Sequence, residues 1–138
     1  MSARESFQVT IPSDIAEGQA IQERILRMLE NRDYTTRDVF GVRLALEEAI
    51  VNAIKHGNKF ASDKSVHIHW ELDDAGIRIL IEDEGTGFDP GDIPDPTLEE
   101  NLERPSGRGI MLIRAYMNFC EYQNDGRRVV MEKQRTVE

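Results

Sequence analysis

Two short segments in which apolar residues alternate with mostly polar ones constrain this chain more than any other feature. Val66, Ile68, Trp70 and Leu72 alternate with His67, His69 and Glu71. After Asp73-Asp74-Ala75-Gly76, the residues Ile77, Ile79 and Ile81 alternate with Arg78 and Leu80. A period of two sends successive side chains to opposite faces, so the pair reads as a β-hairpin with one strongly apolar face. That face needs a second layer to cover it.

The cover is legible earlier in the chain. Phe7, Val9 and Ile11 alternate with Gln8 and Thr10 and predict a short strand ended by Pro12. Ser13 or Asp14 caps a helix to about Glu30, with Ile15, Ile21, Ile25, Leu26 and Leu29 as its apolar positions. Asn31-Arg32-Asp33 is a turn, and Thr35 or Thr36 opens a longer helix. Its stripe of Val39, Val42, Leu46, Ala49, Ile50, Ala53 and Ile54 keeps three-to-four spacing. His56-Gly57-Asn58 ends it, with Gly57 where positive φ is favoured.

From Asp83 to Gly109 no apolar period survives, a stretch of about 25 residues that reads as a functional lid or a disordered loop. Ile110, Met111, Ile113, Arg114 and Met117 then predict a third helix. Two last strands, near Phe119–Gln123 and Arg127–Lys133, are joined through Asn124-Asp125-Gly126. The order β-α-α-β-β-loop-α-β-β predicts an α/β two-layer sandwich, a mixed and mostly antiparallel sheet with helices on one face. Residues 1–138 are expected to form one domain.

Charge sharpens the picture of the loop. The chain carries a net charge of −9, and nine acidic residues lie between Glu82 and Glu103 with no Lys or Arg among them. The remainder is formally neutral. The plain reading is a solvated acidic loop. A pI near 4.9 argues against direct nucleic-acid or anionic-membrane binding, which need a positive field. No apolar run approaches the roughly 18 residues of a membrane helix. Cys120 is the single cysteine, and Met1–Ser6 lacks the apolar core of a signal peptide, so a cytoplasmic protein is expected.

Three clusters point to chemistry. Glu48, Asn52 and His56 are four residues apart and stack on one ridge of the second helix, beside its buried stripe. A solvent face would explain a lone Glu and Asn, but Asn is a poor mid-helix surface residue. Its carbonyl is a hard oxygen ligand suited to Mg²⁺, and a carboxylate one turn away can accept a proton. Asp83-Glu84-Gly85-Thr86-Gly87 ends a strand; the glycines allow close approach to a planar ligand, and Asp83 can accept from an exocyclic amine such as that of adenine. An ordinary strand-ending turn is the alternative. Ser106-Gly107-Arg108-Gly109 opens the third helix, where freed N–H groups and the helix dipole favour an anion; a flexible loop would look similar. Arg104 and Arg108 add cationic charge there. No Walker A motif is present.

Together, and in this order, these clusters resemble the Bergerat-fold ATP-binding superfamily of gyrase, chaperone ATPases, histidine kinases and mismatch-repair ATPases. Glu48-Ala49-Ile50-Val51-Asn52-Ala53-Ile54-Lys55-His56-Gly57 resembles its N box. Asp83–Phe88 and Gly107–Met111 resemble its two glycine boxes. The likeness covers residues 7–133 and is strongest to the bacterial anti-sigma-factor serine/threonine kinases. It implies ATP and Mg²⁺ as cofactors, with Glu48 as general base and Asn52 holding the metal. Asp83 would read the adenine amine, with Gly85 and Gly87 giving clearance. Gly107 and Gly109 would line the phosphates beside a lid at about 88–106, where Arg104 and Arg108 would offset its acidity. Lys55 matches a basic position and would contact phosphate or serve as a surface lysine; His56 would be structural or would brace the residues that touch the ligand. The implied partners are an anti-sigma-factor antagonist protein as substrate and a sigma factor, with a homodimer possible in principle. A non-catalytic, nucleotide-gated switch that sequesters its partner is the alternative.

Other residues read plainly. His67 and His69 share a strand face without a third ligand and read as exposed. Met111 and Met117 read as core and Cys120 as a buried small apolar residue. Arg127-Arg128 stand where many relatives carry small or hydroxyl residues, which leaves an adenine contact from this region open.

Overall fold

The structure, a computed structural model, describes residues 4–85, 113 and 115–137. Its elements are β1 (Glu5–Pro12), α1 (Ile15–Asn31), α2 (Thr36–Val51), a π-helical turn (Asn52–Gly57), β2 (Ser65–Leu72) and β3 (Gly76–Asp83). They continue with β4 (Phe119–Gln123), a 3-10 turn (Asn124–Gly126) and β5 (Arg128–Gln134). Of the expected third helix, Ile113, Ala115 and Tyr116 are described as helical, and Met117 N–H donates to the Ile113 carbonyl at 3.0 Å. The segment expected as a lid, about 88–106, lies outside the described residues.

One sheet in the order β1-β2-β3-β5-β4 carries the fold, antiparallel at each described pairing. Its register lines up the apolar alternation across all five strands. Phe7, Trp70, Ile79, Met131 and Cys120 form one inward row, and Val9, Ile68, Ile81, Val129 and Tyr122 form the next. A one-residue slip in any strand would turn its apolar set to solvent, so burial itself pins the register. Ile25, Leu26 and Leu29 of α1 and Val42, Leu46 and Ile50 of α2 are buried in the same core. Each such side chain contributes roughly 1.5–3 kcal/mol. Cys120, expected to be buried, packs against this core but is only partly buried, on the edge strand β4.

Both helices start at the caps the sequence offers. The Asp14 carboxylate accepts from Ala16 N–H at 2.8 Å, and the Thr35 hydroxyl accepts from Asp38 N–H at 3.0 Å. Each satisfies a backbone donor that a helix start leaves open. Among the described residues no helix is long and apolar enough to cross a membrane.

The start of α2 is also tied to the end of the chain. Asp38, 1% exposed, accepts from both the N–H and the hydroxyl of Thr136 at 2.7 Å, with Lys133 Nζ at 3.8 Å. Burial pushes the Asp38 carboxyl up, but the Thr136 bonds and the Lys133 charge more than offset it and hold it below its ordinary value. A depressed carboxyl stabilises above its unfolded pKa, and that contribution is lost as pH falls through the native value. Asp38→Ala is therefore expected to cost about 1.5–3 kcal/mol in urea denaturation at neutral pH. The deficit should shrink below about pH 4.

Candidate functional site

The site begins where α2 changes pitch. Glu48 is half-buried, Asn52 one turn later is 8% exposed, and Lys55 and His56 are exposed. Asn52, Ala53 and Ile54 are buried in succession. On an α-helix three consecutive residues span about 200°, too wide for one buried face. The wider π turn over Asn52–Gly57 narrows that spread, and Asn58 N–H donates to the Ala53 carbonyl at 2.8 Å. Partial burial and the Lys55 charge hold His56 below its ordinary pKa. Burial, with a smaller effect from Glu47, raises the Glu48 carboxyl.

Asn52 brings an amide into this buried position, and neither its Nδ2 nor its Oδ1 has a hydrogen-bond partner among the described residues. A polar group stranded in this way costs about 1–3 kcal/mol, so native proteins retain few of them without a use. The amide offers a donor and a hard oxygen acceptor to whatever enters beside it.

Asp83 faces it from β3. The inward alternation of Ile77, Ile79 and Ile81 continues to Asp83, which is 7% exposed. Burial raises its carboxyl; the Gly85 N–H on Oδ1 at 2.8 Å and the Arg127 charge pull the other way. Gly57 and Gly85 make this seat possible. A Cβ on Gly57 would lie 2.3 Å from the Asp83 carboxyl carbon, and one on Gly85 would lie 1.9 Å from the Gly57 carbonyl oxygen. Positive φ, the reason the sequence suggests for Gly57, is not adopted; the residue is glycine for clearance.

Asn58, 1% exposed, staples the two halves together. Its Nδ2 donates to Ser13 Oγ at 3.0 Å and to the Ser65 carbonyl at 2.9 Å, and its Oδ1 accepts from Glu84 N–H at 2.8 Å. Read from the sequence, Asn58 is only part of a helix stop. Asn58→Ala is expected to lower stability by about 1–3 kcal/mol through the stranded backbone groups. The affinity of any ligand that Asp83 holds should fall with it, which thermal melts with and without that ligand can separate.

Between these elements lies a small cleft, open to solvent, with Ala49, Ala53, Ile81 and Val129 as its apolar lining. Asn52, Asp83, Tyr122 and Arg127 supply its polar groups. Thus Asn52 and Asp83 meet as the sequence suggests, with Gly85 bound to Asp83. Glu48 lies one turn from Asn52, while Lys55 does not line the cleft. Gly87, Arg104, Gly107, Arg108 and Gly109 lie outside the described residues. Tyr122 and Gly126 were not legible as site residues; only the inward row Val9–Tyr122 hints at the first. His67 and His69 stand on the opposite sheet face, bonded to Thr10 and Glu84 and to Ser6.

Residues 11–133 match the histidine kinase-like ATPase domain. The chain belongs to that family. The matched span includes every residue lining the cleft. Membership in this ATPase family makes ATP the ligand of the histidine kinase-like ATPase domain. The chain is 29% identical over 115 residues to the anti-sigma F factor of Clostridium novyi, covering 79% of this chain and 80% of that protein. It is 26% identical over 142 aligned positions to the serine-protein kinase RsbW of Staphylococcus aureus, covering 96% and 89%.

Proposed function

We propose that the chain is a cytoplasmic, Mg²⁺- and ATP-dependent serine/threonine protein kinase and anti-sigma regulator. It binds a sigma factor and phosphorylates an anti-sigma-factor antagonist. The observation that carries the site is the buried, unpartnered Asn52 amide beside Asp83 in an apolar cleft. The names and near full-length coverage of the two relatives support the activity and the partners.

The donor set fits the metal. Among the described residues no cluster of three His, Cys, Asp or Glu is placed to hold an ion, and Mg²⁺ in phosphoryl-transfer sites takes few protein ligands besides phosphate oxygens. Asn52 Oδ1 would hold it, and the metal would supply charge neutralisation on the phosphates. Asp83 accepts from the adenine amine, and Gly85 keeps the strand end clear of the base. Gly87 shares that role, and Lys55, Arg104, Gly107, Arg108 and Gly109 are proposed on the phosphate side.

Glu48 takes the proton of the substrate serine hydroxyl. The serine oxygen forms its bond to the γ-phosphorus as the bond from that phosphorus to the β–γ bridging oxygen breaks. ADP leaves, the substrate carries phosphoserine, and the proton resides on Glu48. Most of the rate comes from positioning and electrostatics, so the rigid seat of Asn52 and Asp83 matters as much as the base.

The test is incubation with Mg-ATP and candidate antagonists, read by intact mass. One phosphate on a serine or threonine of the antagonist is expected. Partner binding that depends on ATP or ADP without any transfer would overturn the kinase reading in favour of the sequestering switch.

A further inference from the structure

We propose that Arg127 reads the nucleotide base together with Asp83, its guanidinium donating to a ring nitrogen that flanks the exocyclic amine held by Asp83. This deepens the nucleotide reading of the cleft and rests on it. Two adjacent arginines behave differently at the start of β5. Arg128 Nε is paired with Glu82 at 3.1 Å, whereas Arg127 makes no ion pair among the described residues. Arg127 instead lines the cleft with Asn52, Asp83 and Tyr122.

Its position is fixed at the Asp83 end. Asp83 N–H donates to the Arg127 carbonyl at 2.9 Å, so the two residues are direct backbone neighbours. Arg127 Nε donates to the Asn124 carbonyl at 3.1 Å, which anchors the root of the guanidinium. The terminal nitrogens remain as donors for a ligand. The Arg127 charge also opposes the effect of burial on Asp83, consistent with a guanidinium close to that carboxylate.

The chemistry of the pair is specific. A carboxylate only accepts, and a guanidinium only donates. Adenine presents an amine donor flanked by ring-nitrogen acceptors, the complement of that pair. Guanine carries a carbonyl oxygen in place of the amine, and that oxygen would face the carboxylate lone pairs. A side chain that both selects the base and balances a buried carboxylate has a reason to be arginine rather than a small residue.

The experiment measures equilibrium binding of ATP, GTP, 7-deaza-ATP and 1-deaza-ATP to the wild type and to Arg127→Ala. A charge-assisted hydrogen bond predicts a loss of about 10–100-fold. The wild type should lose that factor for one of the two deaza analogues and bind GTP more weakly still. Arg127→Ala should lose the same factor for ATP and no longer distinguish ATP from that analogue. Equal binding of ATP and both analogues by the wild type would overturn the proposal without recourse to any variant. So would an Arg127→Ala protein that still discriminates, since its loss would then be structural. If the wild type binds no nucleotide, the cleft reading itself fails and the proposal falls with it.

Discussion

Glu48→Gln is expected to slow phosphoryl transfer to the antagonist by about 10²–10⁴-fold, the usual worth of a positioned general base. ATP affinity should change by less than about threefold, because Glu48 does not line the cleft that Asn52 and Asp83 share. Gln keeps the size of the side chain and its place on the α2 ridge but cannot take a proton. The half-buried carboxyl is raised by desolvation and then by Glu47, so its titration lies above the ordinary 4.5. A base works only when deprotonated; the wild-type kcat/KM should therefore rise with pH through an acid limb centred above that value. The variant should lose the limb as well as the rate. Single-turnover transfer with intact-mass detection measures both. An unchanged rate would remove Glu48 from the chemistry, and a lost rate with an intact limb would assign the titration to another group.

Much of the architecture was legible because burial leaves few alternatives. The alternation over Val66–Leu72 and Ile77–Ile81 set the hairpin face, and the observed register joins those residues to Phe7, Val9, Val129 and Met131. Asp14 and Thr35 cap where short polar residues precede an apolar period. Asp83 was legible as the opening of a glycine cluster, and the structure adds that it takes the next inward position after Ile81. The π turn was not, since the spacing of Ala49, Ile50, Ala53 and Ile54 fits an α-helix equally well. Its consequence is the depth at which Asn52 is buried. Gly57 was noticed for the wrong physical reason, φ rather than clearance, because close approach is a property of two segments and a sequence presents one at a time. Arg127 was conspicuous only as a departure; its role depends on β5 lying beside β3, a pairing between residues distant in the chain.

Gly85→Ala should damage the site more severely than its size implies. The added methyl would lie 1.9 Å from the Gly57 carbonyl oxygen and 2.5 Å from its carbon, with Asp83 Oδ1 at 3.0 Å. Two of those obstacles are backbone, so no rotamer change relieves the clash. Either the end of β3 or the end of the π turn must move. Gly85 N–H bonds Asp83, and Asn58 ties Glu84 to the same turn, so any shift carries the carboxylate away from Asn52. Overpacking of this kind costs about 1–3 kcal/mol of stability, occasionally more. Losing the amine bond to a charged acceptor weakens nucleotide binding by about 10–100-fold. The two effects are separable: urea denaturation without nucleotide gives the first, and the ATP-induced rise in melting temperature reports the second. Gly85→Ser should do the same, because the obstacle is the Cβ and not what it carries. If Gly85→Ala melts earlier but keeps the wild-type ATP-induced shift, the seat of Asp83 is not what positions the base. If both are unchanged, Gly57 and Gly85 do not hold the contact that brings helix end and strand end together.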